Sequence, residues 1–179
     1  GTKKKGPLSK FWLAHSARRT YRGMKFCPGG EAPRGYLNTW RGWGVEAKEG
    51  DCQPWLDHAF NIVCGGNNEI YRYVLAWLAD AIQNPTQRPG TVIVLRGLPG
   101  TGKGFFCNSF MGLFGHHGFR ITDPRHIVGN FNSHLEHTQL LYCDEAFNTR
   151  SKQAEGVIKG LVTDDRFTVE RKGVDAYQA

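Results

Sequence analysis

The run Gly97-Leu-Pro-Gly-Thr-Gly-Lys103 assembles the residue types that bind a phosphate chain. Gly97, Gly100 and Gly102 allow backbone N–H groups to turn inward around an anion, and Lys103 brings an ammonium to the β- and γ-phosphates. Leu98, Pro99 and Thr101 complete the cradle, and Gly104 follows it into a helix. The spacing Gly-x-x-x-x-Gly-Lys is that of a nucleoside-triphosphate loop and predicts ATP and Mg²⁺ as cofactors. One position departs from the pattern: residue 104 is Gly where Ser or Thr ordinarily offers Mg²⁺ a hydroxyl. Mg²⁺ keeps several waters, so a water is expected to take that place.

Forty-one positions after Lys103, the apolar run Leu140-Leu-Tyr-Cys ends in Asp144-Glu145. In phosphoryl transfer a first carboxylate holds Mg²⁺, and a second beside it orients and deprotonates the attacking water. Asp144 is the expected metal residue and Glu145 the expected general base, with Lys103 the third member of the catalytic set. The histidines are weaker candidates. His134 and His137 could share a helical face, but no third ligand stands at zinc spacing, so they read as surface or hydrogen-bonded side chains. His116 and His117 fall near the end of the loop's helix, where imidazolium charge is mildly favourable.

Such groups act only when rigid elements hold them. The loop needs a strand before it and a helix after it; Thr91-Val-Ile-Val-Leu95 reads as a strand buried on both faces, and Lys103 to Phe114 as the helix. Gln139 to Cys143 reads as another buried strand and Ala154 to Val162 as another helix. This alternation predicts an α/β fold, a P-loop NTPase parallel sheet flanked by helices. Phe167-Thr-Val-Glu-Arg-Lys172 alternates like an exposed strand entering a hairpin at Gly173.

Ahead of this core, residues 51–89 read as a helical segment. Pro54 suits a first turn, Trp55, Leu56, Ala59, Phe60 and Val63 recur at helical spacing, and Gly65-Gly66 suits the exit. Asn67 or Asn68 caps the next helix, whose stripe Ile70, Tyr73, Val74, Trp77, Leu78, Ala81 and Ile82 runs until Asn84-Pro85. Residues 1–50 read as a basic N-terminal arm with a small β-rich part: a short helix near Ser9 to Arg19, then two or three short strands between Gly23 and Val45. The expected divisions are therefore 1–50, 51–89 and 90–179.

The 179 residues, 40% of them hydrophobic, suffice for one packed core. No apolar run approaches the roughly 18 residues of a membrane span, and no signal-peptide core is present, so a cytoplasmic protein with no membrane partner is expected. Five dispersed cysteines with no Cys-x-x-Cys pair point to reduced thiols. The net charge of +7 is concentrated at the front: residues 1–50 hold eleven Lys and Arg against three acids. Lys3, Lys4, Lys5, Lys10, Arg18, Arg19, Arg22 and Lys25 are interleaved with Phe11, Trp12 and Tyr21, which suits phosphate contacts with some stacking and equally a solvated basic arm.

The loop at 97–104, the Leu140 to Glu145 strand and the run Leu161-Val-Thr-Asp-Asp-Arg-Phe-Thr-Val-Glu-Arg-Lys-Gly173 together resemble superfamily 3 helicases of the AAA+ class, in particular the branch of phage and plasmid primase-helicases. In that branch a Gly directly after the loop Lys is familiar. The likeness spans roughly residues 20 to 175, including the helical stretch that precedes the ATPase core. It implies a DNA helicase domain that self-associates into a hexamer-like ring, translocates on single-stranded or duplex DNA and serves a primase or polymerase in a bacterial or archaeal host. It also places Arg171 and Lys172 on a hairpin that grips DNA in the ring's channel. The family's sensor residue and arginine finger would lie beyond Ala179, so weak turnover is expected of this chain alone. Two other readings stay open: a nucleotide-binding replication module without motor activity, and a small P-loop kinase, which lacks an evident Arg-rich lid.

Overall fold

A computed structural model of the chain describes residues 6–123, 125–129, 131–144, 152–164 and 166–178. Helix α1 (Leu8–Ala14) buries none of its side chains. Two three-residue strands follow, β1 (Gly23–Lys25) and β2 (Tyr36–Asn38), paired in parallel. Helix α2 (Gln53–His58) starts on Pro54 in its first turn, where the missing N–H costs nothing, and widens without a break into a π-helical turn at Ala59–Val63. Asn67 then caps α3 (Asn68–Gln83), its side-chain oxygen accepting the N–H groups of Glu69 and Ile70 at 2.9 and 3.0 Å. The helix stops before Pro85, as the Asn84-Pro85 pair requires.

The second half carries α4 (Lys103–Gly112), β3 (Gly118–Ile121), α5 (Arg125–Val128), a 3₁₀ turn at Ser133–His137, β4 (Leu140–Cys143), α6 (Lys152–Thr163), and a hairpin of β5 (Thr168–Arg171) and β6 (Val174–Gln178). Strands β3 and β4 run parallel with Gly118 opposite Leu140 and Ile121 opposite Cys143, while β5 and β6 are antiparallel. Gly173, with φ of +76°, makes the hairpin's turn in a conformation that glycine adopts without cost. The described strands thus form three separate pairs.

Thr91 to Leu95 differs from its sequence expectation. It enters none of the described sheets; Ile93 and Leu95 pack on the core, whereas Val92 and Val94 are 52% and 70% exposed. An all-apolar run suggests cover on both faces, yet among the described residues β3 and β4 pair with each other and nothing pairs with 91–95. One face of the segment therefore remains bare.

Two apolar clusters organise the chain. Ala59, Cys64, Val74, Leu78, Phe106, Phe110 and Phe114 join the π turn, α3 and α4. Ile121, Ile127 and Leu135 form the second, reinforced by Val157 and Leu161 of α6 and by Phe167. Successive side chains of a strand point to opposite faces, and β4 uses this: Leu140 packs on the first cluster, Leu141 and Cys143 on the second. Each side chain buried this way contributes on the order of 1.5–3 kcal/mol.

Residues 23–44 also lie on this body. Trp40 stacks on His117 with ring centroids 4.3 Å apart, and Trp43 meets Phe114 edge-on. The N–H of Gly44 donates to the carbonyl of Leu113 at 2.7 Å. Gly44 and Gly115 touch backbone to backbone, so a Cβ at residue 44 would overlap its neighbour. His117 is buried and bonded at both ring nitrogens: Nε2 accepts the N–H of Arg41 at 2.9 Å, and Nδ1 donates to the carbonyl of His137 at 2.8 Å. Burial holds its pKa below the usual histidine value. Among the described residues no helix is long and apolar enough to cross a membrane.

Candidate nucleotide site

The loop closes on its own lysine. The Lys103 ammonium donates to the carbonyls of Gly97 at 2.9 Å and Leu98 at 2.8 Å and to Thr101 Oγ1 at 3.1 Å, and Thr101 Oγ1 donates in turn to the Leu98 carbonyl at 2.9 Å. Gly100 and Gly102 have φ of +77° and +84°, the left-handed region that disfavours any side chain. Gly102 is the N-cap of α4, so the loop delivers the chain directly to a helix N-terminus with its partial positive charge.

A second element holds that loop from behind. A Cβ at Gly102 would run into the ring of His58, whose Nε2 lies 3.2 Å from the Gly102 carbonyl oxygen and whose ring stands edge-on to Phe105. One turn earlier on α2, Trp55 stacks on Phe106 with centroids 5.0 Å apart, and its indole N–H donates to Ser109 Oγ at 2.7 Å. Helix α2 is therefore the buttress of the loop. Nothing local in the sequence marks His58 for this task; its partner lies 44 positions away.

Asp144 lies just past β4, anchored by its N–H to the carbonyl of Ile121 at 2.8 Å. The Tyr142 hydroxyl donates to Asp144 Oδ1 at 2.8 Å, and the Arg120 guanidinium donates to Oδ2 and forms an ion pair with it. These two bonds, with the nearby charge of Lys103, hold the Asp144 carboxyl below the usual carboxylate range, so it is ionised at neutral pH. Burial, with the hydrogen bond to Asp144 adding to it, pushes the Tyr142 phenol well up. Burial likewise raises the Cys107 thiol, and the Asp144 charge reinforces the shift.

Gly97, Leu98, Pro99, Gly100, Thr101, Gly102, Lys103 and Gly104 are thus one continuous loop and helix start, and the charge of Asp144 is close enough to be felt together with that of Lys103. Glu145, the expected general base, lies outside the described residues. Arg120 and Tyr142 were not singled out by the spacing. Strand phase offers a signal for Tyr142, which shares a face with residue 144 two positions on. Arg120 faces Tyr142 in the β3–β4 register, a long-range pairing that no local pattern displays.

The hairpin cations behave differently from one another. Arg171 donates to and pairs with Glu136, and its guanidinium lies over the Tyr177 ring at 5.5 Å. Lys172 stands exposed in the turn between the strands. Of the histidine pair, His137 Nδ1 lies 3.4 Å from Thr39 Oγ1, and His134 packs against Phe119 with Nε2 buried and without a hydrogen-bond partner among the described residues. Among the described residues no group of three or more His, Cys, Asp or Glu side chains is placed to hold a metal ion. A nucleotide-borne Mg²⁺ does not need one, because phosphates and waters supply most of its ligands.

The donor set suits ATP with Mg²⁺: inward-turning glycine backbone, one ammonium and one ionised carboxylate, with no side chain at residue 104 itself. Residues 95–179 match a family described as a family of unknown function (DUF5906). No curated protein and no solved structure matches the chain.

Proposed function

We propose that this chain binds ATP with Mg²⁺ at residues 97–104 and serves as the ATPase core of a DNA helicase of the superfamily 3 type. The observation that carries the reading is the joint placement of a glycine loop, its lysine at the start of α4, and an ionised aspartate beyond the neighbouring parallel strand. Backbone N–H groups and the α4 terminus take the phosphates. Lys103 exchanges its three loop acceptors for phosphate oxygens, which bind an ammonium more strongly because they are charged. Bound Mg²⁺ would supply neutralisation of the charge that develops on the phosphates. Asp144, fixed by Tyr142 and Arg120, is the residue that would hold the ion's water shell, and Glu145 takes the proton of the attacking water.

The remaining roles extend the same proposal. Lys172 contacts DNA phosphates from the hairpin turn, copies of the domain assemble into a ring, and the motor works beside a primase or polymerase. A nucleotide-binding replication module without motor activity is the second reading, favoured by the engagement of Arg171 with Glu136, which leaves Lys172 the less committed hairpin cation. Equilibrium titration with a fluorescent ATP analogue tests the site: Mg²⁺-dependent binding is expected, and its absence overturns the reading. ATP hydrolysis with and without single-stranded DNA separates motor from module; stimulation supports the helicase.

A further inference from the structure

The residue after the loop lysine is the one place where the sequence lacks a group that a nucleotide-bound cation ordinarily uses. A Cβ built on Gly104 would find the Tyr142 hydroxyl and Asn108 Nδ2, each at 3.9 Å, and nothing closer. A serine hydroxyl there, one bond beyond Cβ, would therefore reach toward the volume the phenol oxygen already occupies. That phenol belongs to β4, on the face it shares with residue 144, and it donates its one proton to Asp144 Oδ1 at 2.8 Å. Cys107 is the other side chain that hydrogen-bonds Tyr142, and a phenol oxygen with two lone pairs can still accept from a donor such as a cation-bound water. From the other side Arg120 grips Oδ2 and lays its guanidinium 5.8 Å from the centroid of the Tyr142 ring, so both the phenol and the carboxylate are held.

We propose that Tyr142 supplies the hydroxyl that Gly104 lacks: a positioning residue that fixes Asp144 and offers its oxygen to the hydrated Mg²⁺ accompanying the nucleotide. The proposal rests on the nucleotide-site reading above. It explains why a small residue is tolerated at 104, since a hydroxyl from the neighbouring strand serves the same spot. Groups that orient a metal-binding carboxylate typically govern metal affinity by about 10- to 100-fold.

The test is the Mg²⁺ dependence of ATP binding, read by titrating a fluorescent ATP analogue into the parent chain, Tyr142→Phe, Gly104→Ser and the double variant. In EDTA, Tyr142→Phe should bind nucleotide as the parent does, and its half-saturating Mg²⁺ should rise about tenfold. Gly104→Ser introduced into Tyr142→Phe should bring the half-saturating Mg²⁺ most of the way back to the parent's value. Gly104→Ser alone leaves Tyr142 untouched and should change the Mg²⁺ requirement by no more than about twofold, because the position is already served. Thermal unfolding confirms that each variant is folded. An unchanged Mg²⁺ requirement in Tyr142→Phe, an equal loss of affinity in EDTA, a double variant without rescue, or a large gain from Gly104→Ser alone would each overturn the proposal. A parent that binds no nucleotide at any Mg²⁺ concentration overturns the nucleotide site itself, a result distinct from all of these.

Discussion

Lys103 and Arg171 are both cations on structured elements next to a glycine turn, and the molecule uses them in opposite ways. Lys103 faces only uncharged loop oxygens, with no carboxylate in ion-pair contact among the described residues. Arg171 is neutralised by Glu136 and covered by Tyr177. The first charge is matched only by neutral loop oxygens; the second is spent inside the fold, where it ties the hairpin to the 3₁₀ turn at Ser133–His137. A charge becomes available to a ligand through the absence of a nearby partner, which composition does not reveal.

The anchoring of the loop's helix at its far end is the largest effect to test. Phe114, two residues past the end of α4, is completely buried. Phe114→Ala should cost about 3–5 kcal/mol by chemical denaturation; a loss below about 1 kcal/mol would mean that the aromatic row does not anchor the helix. Next comes chemistry. Glu145→Gln should cut turnover by about two orders of magnitude in a hydrolysis-competent polypeptide while leaving ATP binding nearly intact. Equal turnover in the variant and its parent would assign Glu145 a structural part.

Lys103→Ala should weaken ATP binding at least about tenfold, or roughly 1.4 kcal/mol. Unchanged affinity for the labelled nucleotide would erase the contrast with Arg171. On the hairpin side, Lys172→Ala should lower the salt dependence of single-strand binding by about 0.7 in slope, and Glu136→Gln, by releasing Arg171, should raise it. If instead deleting residues 1–10 removes DNA affinity and neither hairpin variant matters, the basic front segment is the DNA contact.

The smallest effect is a pH dependence. Burial depresses the pKa of His117 and of His134 below the unfolded value of 6.5. The unfolded chain then binds more protons in the window between the depressed values and 6.5, so stability rises with pH through that window and is complete above it. Protonating His117 would also remove the acceptor for the Arg41 N–H. Denaturation midpoints should fall as pH drops below 6.5, and a His117→Gln variant should flatten the curve; a parent curve flat from pH 7 to 5 would refute the assignment.

Several elements were readable because their signals are local. The Asn67 cap and the Asn84-Pro85 stop frame α3 as the spacing predicts, and Gly173 turns the hairpin between β5 and β6. Others were not. Gly118–Ile121 is too short and mixed to announce β3, and it forms a strand because β4 lies alongside it. Thr91 to Leu95 reads as a doubly buried strand from its residues alone, but burial requires a neighbour on each face, and the described residues cover only one.

The geometry of the loop at 97–104 was legible in the sequence itself, because glycine conformational freedom and the reach of a lysine are properties of adjacent residues. What tertiary structure decided is the company these residues keep. His58 under Gly102, Arg120 and Tyr142 on Asp144, and Glu136 on Arg171 are pairs separated by 44, 24, 2 and 35 positions. Apart from the strand neighbours Tyr142 and Asp144, they meet only after loop-closure entropy has been offset by core packing. Local spacing therefore carried the loop's candidate chemistry, and packing decided which charges met a carboxylate and which met only neutral oxygens.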